Sequence, residues 1–409
     1  MPKQHEPIVI TGLGAVSPCG LGAEAVWSAL EKGERRGEVT EQGAPGEQPV
    51  QCLKVGEWRP ADLLGKRGLQ YLRPSTQFLL GASVLAVREA GLADGVAQPD
   101  DLGITIGCNL VGLQSISDYD YTAVKEGPQY VSPMEAPNTL ANAPASHLAI
   151  RLKARAFNTT IATGQCAGLD TLGYAAKALY ESRARQVVAG AVEELSSAAL
   201  WVYRNSQVLP LERLEDVGRP FDPLSSGWLP GEGAAVLVLE RQNEALERGA
   251  HPLAELAGWS SGFAPLQTTE KRASVLVRVA RQALAVAGLT PADVDVVVSG
   301  ANGLQAQDQA EALALRDLLP KQSGVCVTAV KGTLGETYGA SGLFQALAAT
   351  SIINRGIVPP TIGGDRQQEA AVNISTDARN WFGSKQGTVL LLAQDLFGST
   401  SAVVLRGCQ

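Results

Sequence analysis

The sequence predicts an α/β protein with a duplicated, layered architecture, and three observations lead there. Short, strongly apolar strand segments alternate with helix-like segments along the chain, at 102–107, 186–192 and 294–299 among others. Runs that apolar read as strands buried on both faces, in mainly parallel sheets covered by helices. The alternation is repeated in the second half, so 1–245 and 246–409 read as two similar units related by element order rather than by any strong sequence repeat. The composition supplies the core: 45% of the 409 residues are hydrophobic and 18% charged, enough for two to three domains of roughly 150 residues.

The elements follow in order. Ile8-Val9-Ile10 is a buried-type strand, and 22–32 is a helix with Ala and Trp27 on one face. Residues 34–62 are charged and rich in Gly and Pro, which predicts a surface insertion. A helix is expected over 75–91 and a strand over 102–107. Two helices, 110–126 and 137–153, flank the Gly127-Pro128 break. A strand at 157–162 leads into a helix reaching about 182, and strands at 186–192 and 234–240 close the half. The second half reads as strand 252–258, helix 269–288, strand 294–299, helix 307–319 and strand 325–330. A Gly-rich loop over 331–339, helix 340–354 and a C-terminal hairpin turning at 397–400 complete it.

Charge and composition exclude several functions. A net charge of −7 and a pI near 5.2 disfavour nucleic acid and anionic membrane as partners. No apolar run reaches the roughly 20 residues a membrane span needs, and residues 1–7 enter the first strand without a signal-peptide core, so a cytoplasmic location is expected. The six cysteines show no paired metal-ligand spacing and read as reduced, mostly buried thiols. No metal or cofactor is expected. The Gly-rich 331–342 segment lacks the Lys-Ser/Thr ending of a phosphate loop.

The segment with the most chemistry in it is Ile161-Ala162-Thr163-Gly164-Gln165-Cys166-Ala167-Gly168-Leu169-Asp170. A strand running through a tight turn into a small-residue helix can raise one side chain out of the sheet, with helix amides beside it that stabilise negative charge. The raised residue is Gln165, an amide that cannot attack an acyl group. Gln165 also has a plainer reading, as a polar residue at a helix start.

Several motifs, in order and spanning nearly the whole chain, resemble the β-ketoacyl-ACP synthase family. They are Val9-Ile10-Thr11-Gly12-Leu13-Gly14-Ala15-Val16-Ser17-Pro18, Arg219-Pro220-Phe221-Asp222, Gly231-Glu232-Gly233-Ala234, Lys331-Gly332-Thr333-Leu334-Gly335, Gly339-Ala340-Ser341-Gly342 and Phe397-Gly398-Ser399-Thr400-Ser401-Ala402. The resemblance implies the thiolase fold, a layered α-β-α-β-α arrangement. It also implies a chemistry that needs a cysteine to hold the acyl chain and two histidines for malonyl decarboxylation. Here Gln165 stands at the cysteine position, Gly300 or Asn302 at the first histidine and Glu336 at the second, while the loop lysine survives as Lys331. None of the three histidines, His5, His147 and His251, falls in these segments.

Within the family, this pattern is similar to the chain-length factor, the ketosynthase β subunit of type II polyketide synthases. That resemblance implies a heterodimer with a catalytic ketosynthase α subunit, an acyl carrier protein, and a growing polyketide or polyene chain that extends into a tunnel at the interface. The tunnel segments correspond to 109–121 and 133–139, with Leu113, Ile116, Asp120 and Pro137 at the aligned gate positions. These are not the bulky aromatics frequent in aromatic-polyketide members, which leaves aromatic and polyene products both open. Two further functions stand beside this one. The chain could be an enzyme in its own right, a malonyl-ACP decarboxylase or a synthase using Cys166, or a carrier-protein binding module without an elongating partner. Glu336 reads either as a general base or as a structural carboxylate held by loop amides and Lys331.

Overall fold

The structure is a computed structural model and describes residues 6–41, 49–92, 98–210, 216–265, 268–320, 324–366, 372–381 and 387–408. The N-terminal call over 1–5, including His5, and residues 42–48 of the 34–62 insertion lie outside them.

Among the described residues, ten long-range strands join in one mixed sheet, with the short Gly20–Leu21 strand pairing at its flank. From the centre outward, the first half runs Ile8–Ser17, Gly233–Arg241, Gln186–Glu193, Leu102–Gly107 and Phe157–Ile161. The second half mirrors it with Ala254–Phe263, Ser399–Arg406, Thr388–Gln394, Val296–Val298 and Cys326–Thr328. The same order, read outward from a central antiparallel pair, makes visible in topology the duplication that the sequence carries only in its order of elements.

The expectation of mainly parallel sheets needs correction. Parallel pairing is confined to the outer three strands of each half, while every pair nearer the centre is antiparallel. A strand buried on both faces reads as an apolar run whichever way its neighbour points, so composition cannot assign direction.

Three helix layers enclose two strand layers. Ala167–Tyr180 and Ser341–Arg355 pack together in the middle, within the largest apolar cluster, between the strands of the two halves. They cross at glycine: a Cβ on Gly342 would lie 2.5 Å from the Leu169 amide nitrogen, and one on Gly168 2.7 Å from that of Leu343. Only hydrogen fits there. Pro74–Glu89 and Ala143–Leu152 cover the first half's outer face, and Thr269–Val286 with Gln305–Leu318 that of the second.

Three expected elements differ in detail. The helix expected at 137–153 is a 3-10 segment, Pro133–Thr139, followed by Ala143–Leu152, because Pro144 sits in a helix's first turn, where its missing N–H costs nothing. The 331–339 loop contains a short helical turn, Lys331–Leu334, and a 3-10 turn, Tyr338–Ala340. The 34–62 segment is more than a surface insertion. It carries a hairpin, Glu38–Glu41 with Val50–Leu53, whose Cys52 and Leu53 are fully buried, and the Leu53 amide donates to the Pro230 carbonyl at 2.8 Å.

Candidate functional site

The strand Phe157–Ile161 forms one edge of the sheet and runs directly into the site. After it the chain turns at Gly164, whose φ of +65° suits glycine, and enters a 3-10 turn, Gly164–Cys166, that continues as the helix Ala167–Tyr180. Side chains fix the turn from both ends. The Asn109 amide donates to the Gly164 carbonyl at 2.9 Å and accepts from the Gly164 amide at 2.8 Å. Thr163 Oγ1 donates to Asp170 at 2.6 Å, and Ser261 and Ser401 donate to the same carboxylate.

Gln165 is raised by this turn but does not meet solvent; it is fully buried. Its Nε2 donates to Glu336 Oε2 at 2.6 Å, and its Oε1 accepts from Gln307 Nε2 at 2.8 Å. Asn302 Nδ2 donates to the same Glu336 oxygen at 2.8 Å and to Gln307 Oε1 at 2.9 Å. Lys331 Nζ is 2.9 Å from Glu336 Oε2. The other oxygen of Glu336 accepts from the Tyr338 amide at 2.9 Å and from Ser341 Oγ at 2.6 Å. Three of the sequence candidates, Gln165, Asn302 and Lys331, therefore converge on the fourth, the buried carboxylate of Glu336, which has five donors. Of the two candidates for the first histidine position, Asn302 is the one that reaches the cluster. The Gly300 amide donates to Glu311 instead.

This arrangement decides what the site can do. A carboxylate that is fully buried, hydrogen-bonded on both oxygens and 2.9 Å from a buried lysine fits the structural reading of Glu336. The amides of Gln165 and Asn302 are neither nucleophiles nor acids. An enolate forming here would face the negative charge of Glu336 where stabilising donors are needed.

Cys166, one residue on, is no substitute. It is fully buried in the central apolar cluster, and burial pushes its thiol well above the ordinary range, with Asp170 and Asp395 adding to the effect. A thiol held protonated is a poor nucleophile. Among the described residues, Cys19, Cys52 and Cys108 are likewise free and buried, and Cys326 and Cys408 are free and partly exposed. No described group of His, Cys, Asp and Glu could hold a metal ion.

The remaining candidates lie apart from this cluster. Leu113 opens the helix Leu113–Lys125 and is half-buried, while Ile116 and Asp120 on the same helix are exposed, as is Pro137 in the 3-10 segment packed against it. Sequence reading missed Gln307, which ties Gln165 to Asn302, and Asp395, which accepts the Gln165 amide at 3.1 Å. The one signal for Gln307 is its place in the first turn of the helix that follows Asn302.

The β-ketoacyl synthase N-terminal domain family matches residues 5–245, and the β-ketoacyl synthase C-terminal domain family matches 253–365. The chain belongs to the β-ketoacyl synthase family. It is 31% identical over 407 residues to a protein named polyketide beta-ketoacyl synthase 2 of Streptomyces halstedii, covering 97% of this chain and 96% of the relative. It is 30% identical over 408 residues to the tetracenomycin polyketide synthase ketoacyl synthase beta subunit of Streptomyces glaucescens, covering 98% of both. Among solved structures, the ishigamide ketosynthase/chain length factor superposes with a TM-score of 0.87 at 25% identity over 99% of this chain and 100% of that one. A beta-ketoacyl synthase from Burkholderia phymatum gives 0.88 at 22% identity over 99% and 100%, which speaks to the fold alone. The thiolase-like ketosynthase fold expected from the motifs is the fold observed. No described helix is long and apolar enough to cross a membrane.

Proposed function

We propose that this chain is the non-catalytic β subunit, or chain-length factor, of a type II polyketide synthase. It pairs with a catalytic ketosynthase α subunit in the cytoplasm and shapes the tunnel that limits chain length during condensation of malonyl units on an acyl carrier protein. One observation carries the reading: Gln165, Asn302 and Glu336, which the family resemblance puts at the three reactive positions, are hydrogen-bonded into one buried cluster. The acyl chain is then held by the partner's cysteine, and this subunit contributes walls.

The surface supports the same reading. The edge strand Phe157–Ile161 has one side free of any strand among the described residues, which suits extension of the sheet into a second chain. The segments 113–150 expose Ile116, Tyr121, Val124, Tyr130, Met134, Leu140 and Ile150, and one of them, the helix Ala143–Leu152, packs against the edge strand. Large exposed apolar groups in one region mark an interaction surface, and an obligate interface of this kind buries more than about 2,000 Å². Leu113, Ile116, Asp120 and Pro137 are the tunnel residues in this proposal. The relatives named as polyketide β subunits favour it over an autonomous decarboxylase or a Cys166 synthase.

The test is co-expression with a ketosynthase that has the complete Cys-His-His set, followed by assay with malonyl-loaded carrier protein. The pair elongates, and this chain alone neither condenses nor decarboxylates. Decarboxylation by the chain alone would overturn the reading, as would elongation by the partner that is indifferent to this subunit.

A further inference from the structure

A second buried acid beside the Gln165 cluster takes no part in the reading above. Asp395 is 3% exposed. Its Oδ1 accepts the backbone N–H of Gln165 at 3.1 Å, and its Oδ2 accepts the backbone N–H of Phe397 at 2.8 Å. The contact is close enough that a Cβ on Gly164 would fall 1.9 Å from Asp395 Oδ1. The link to Phe397, two residues on, is an ordinary Asx turn. The link to Gln165 crosses 230 positions of sequence and has no local explanation.

The two amides come from separate segments, the turn that raises residue 165 and the glycine loop at 397–398. They converge on one negatively charged group. Backbone N–H groups presented together to one anionic group are the device that stabilises the oxyanion of acyl transfer; here each amide takes its own oxygen of the Asp395 carboxylate, and one of them belongs to the residue that the family resemblance puts at the nucleophile's position. Burial raises the Asp395 carboxyl and the amide donors draw it back.

We propose that Asp395 is an internal anion that occupies this amide pair and closes the subunit's own acyl site to thioester oxygens and external carboxylates, independently of the missing nucleophile. The inference rests on the non-catalytic reading and deepens it: the turn is silenced twice, by an amide where a thiol is needed and by a carboxylate where an oxyanion would sit. Restoring a thiol alone should then leave the turn inert toward thioesters.

The experiment places a reporter thiol with Gln165→Cys, in the full chain, with and without Asp395→Ser. Two reagents are compared by mass shift on the peptide that carries the thiol. Methyl methanethiosulfonate forms a disulfide without any oxyanion and measures access. The acetyl thioester of N-acetylcysteamine transfers its acetyl group to the thiol through a tetrahedral oxyanion, the released N-acetylcysteamine taking the proton. The ratio of acetylation to disulfide formation should rise at least tenfold when Asp395 is removed. An unchanged ratio overturns the proposal. Failure of both reagents to reach the thiol in either variant also overturns it, because packing rather than Asp395 then closes the site. Should Asp395→Ser lower the melting temperature sharply, Asp395→Asn keeps an acceptor for the Phe397 turn and frees the Gln165 amide, so the ratio should still rise, by less than in Asp395→Ser; an unchanged ratio there overturns the proposal as well. None of these outcomes touches the β-subunit reading, which fails only if the unaltered chain decarboxylates or the partner elongates without it.

Discussion

Replacing Lys331 with methionine tests whether the polar cluster is held by charge compensation. The Lys331 and Glu336 side chains are 2% and 0% exposed and 2.9 Å apart. Removing one member of a buried pair typically costs about 3–5 kcal/mol, because the remaining charge is left uncompensated. Glu336 keeps four other donors, from Gln165, Asn302, Tyr338 and Ser341, so the loss should fall near the lower end, about 3 kcal/mol. Unfolding entropy is about 2.1 cal/mol/K per residue, or about 0.9 kcal/mol/K across 409 residues. Lys331→Met should therefore lower Tm by roughly 3–4 °C. The assay is thermal unfolding followed by circular dichroism, at one protein concentration and pH. The decisive comparison is Lys331→Met combined with Glu336→Gln, which removes both charges and should recover most of the loss. A single variant within 1 °C of the parent, at an error of about that size, would refute the argument. So would a double variant no more stable than the single one, since the lysine would then act through packing and not through charge.

Other expectations follow from the same geometry. Burial lifts Glu193 to about 8, Glu311 to about 7 and Asp308 to about 6, so the folded chain holds protons that the unfolded chain has released. Their contribution is fully present below the ordinary carboxyl range and is lost as pH rises toward about 8; Glu193→Gln should flatten the upper part of a Tm-against-pH curve. Cys166→Ala should leave product formation by the complex unchanged, and loss of product without loss of folding would return Cys166 to candidacy. Gly342→Ala should destabilise by more than the usual 1–3 kcal/mol of overpacking, because the added carbon meets the Leu169 backbone; a normal denaturation midpoint would contradict the crossing geometry. Trp in place of Leu113 or Ile116 should shorten products, each two-carbon unit needing roughly 2.5 Å of depth. Normal pairing with an unaltered product distribution would remove this helix from the chain's path.

Much of this protein can be read from its sequence, for reasons that differ by element. The strand at 102–107 and the helix at 22–32 end where glycine and polarity change abruptly, so the expected bounds and the observed ones agree. Gln165, Lys331 and Glu336 are legible because each sits inside or directly beside a motif whose neighbours fix its position; Gly300 and Asn302 are told apart only by their contacts in the fold. Gln307 and Asp395 are not legible. Their contacts with residue 165 span 142 and 230 positions, and no local pattern encodes a partner so far along the chain. Strand direction was lost for a related reason: Gly233–Arg241 is buried up to its last residue and antiparallel to both neighbours, yet Leu102–Gly107, buried throughout, is parallel to both of its own.

The edge strand Phe157–Ile161 also bears on how such a subunit must be made. Its outward row of backbone donors and acceptors has no strand against it among the described residues, and the helix Ala143–Leu152 that packs on it exposes Ile150. A ribosome that releases this chain faster than its partner releases an adhesive, since an uncovered edge pairs with whatever strand comes first, another copy included. Supply of the two chains in matched amounts is thus a requirement of solubility as much as of catalysis. A cell that loses the partner should accumulate this protein as aggregate or degrade it, even though nothing in its own core has changed.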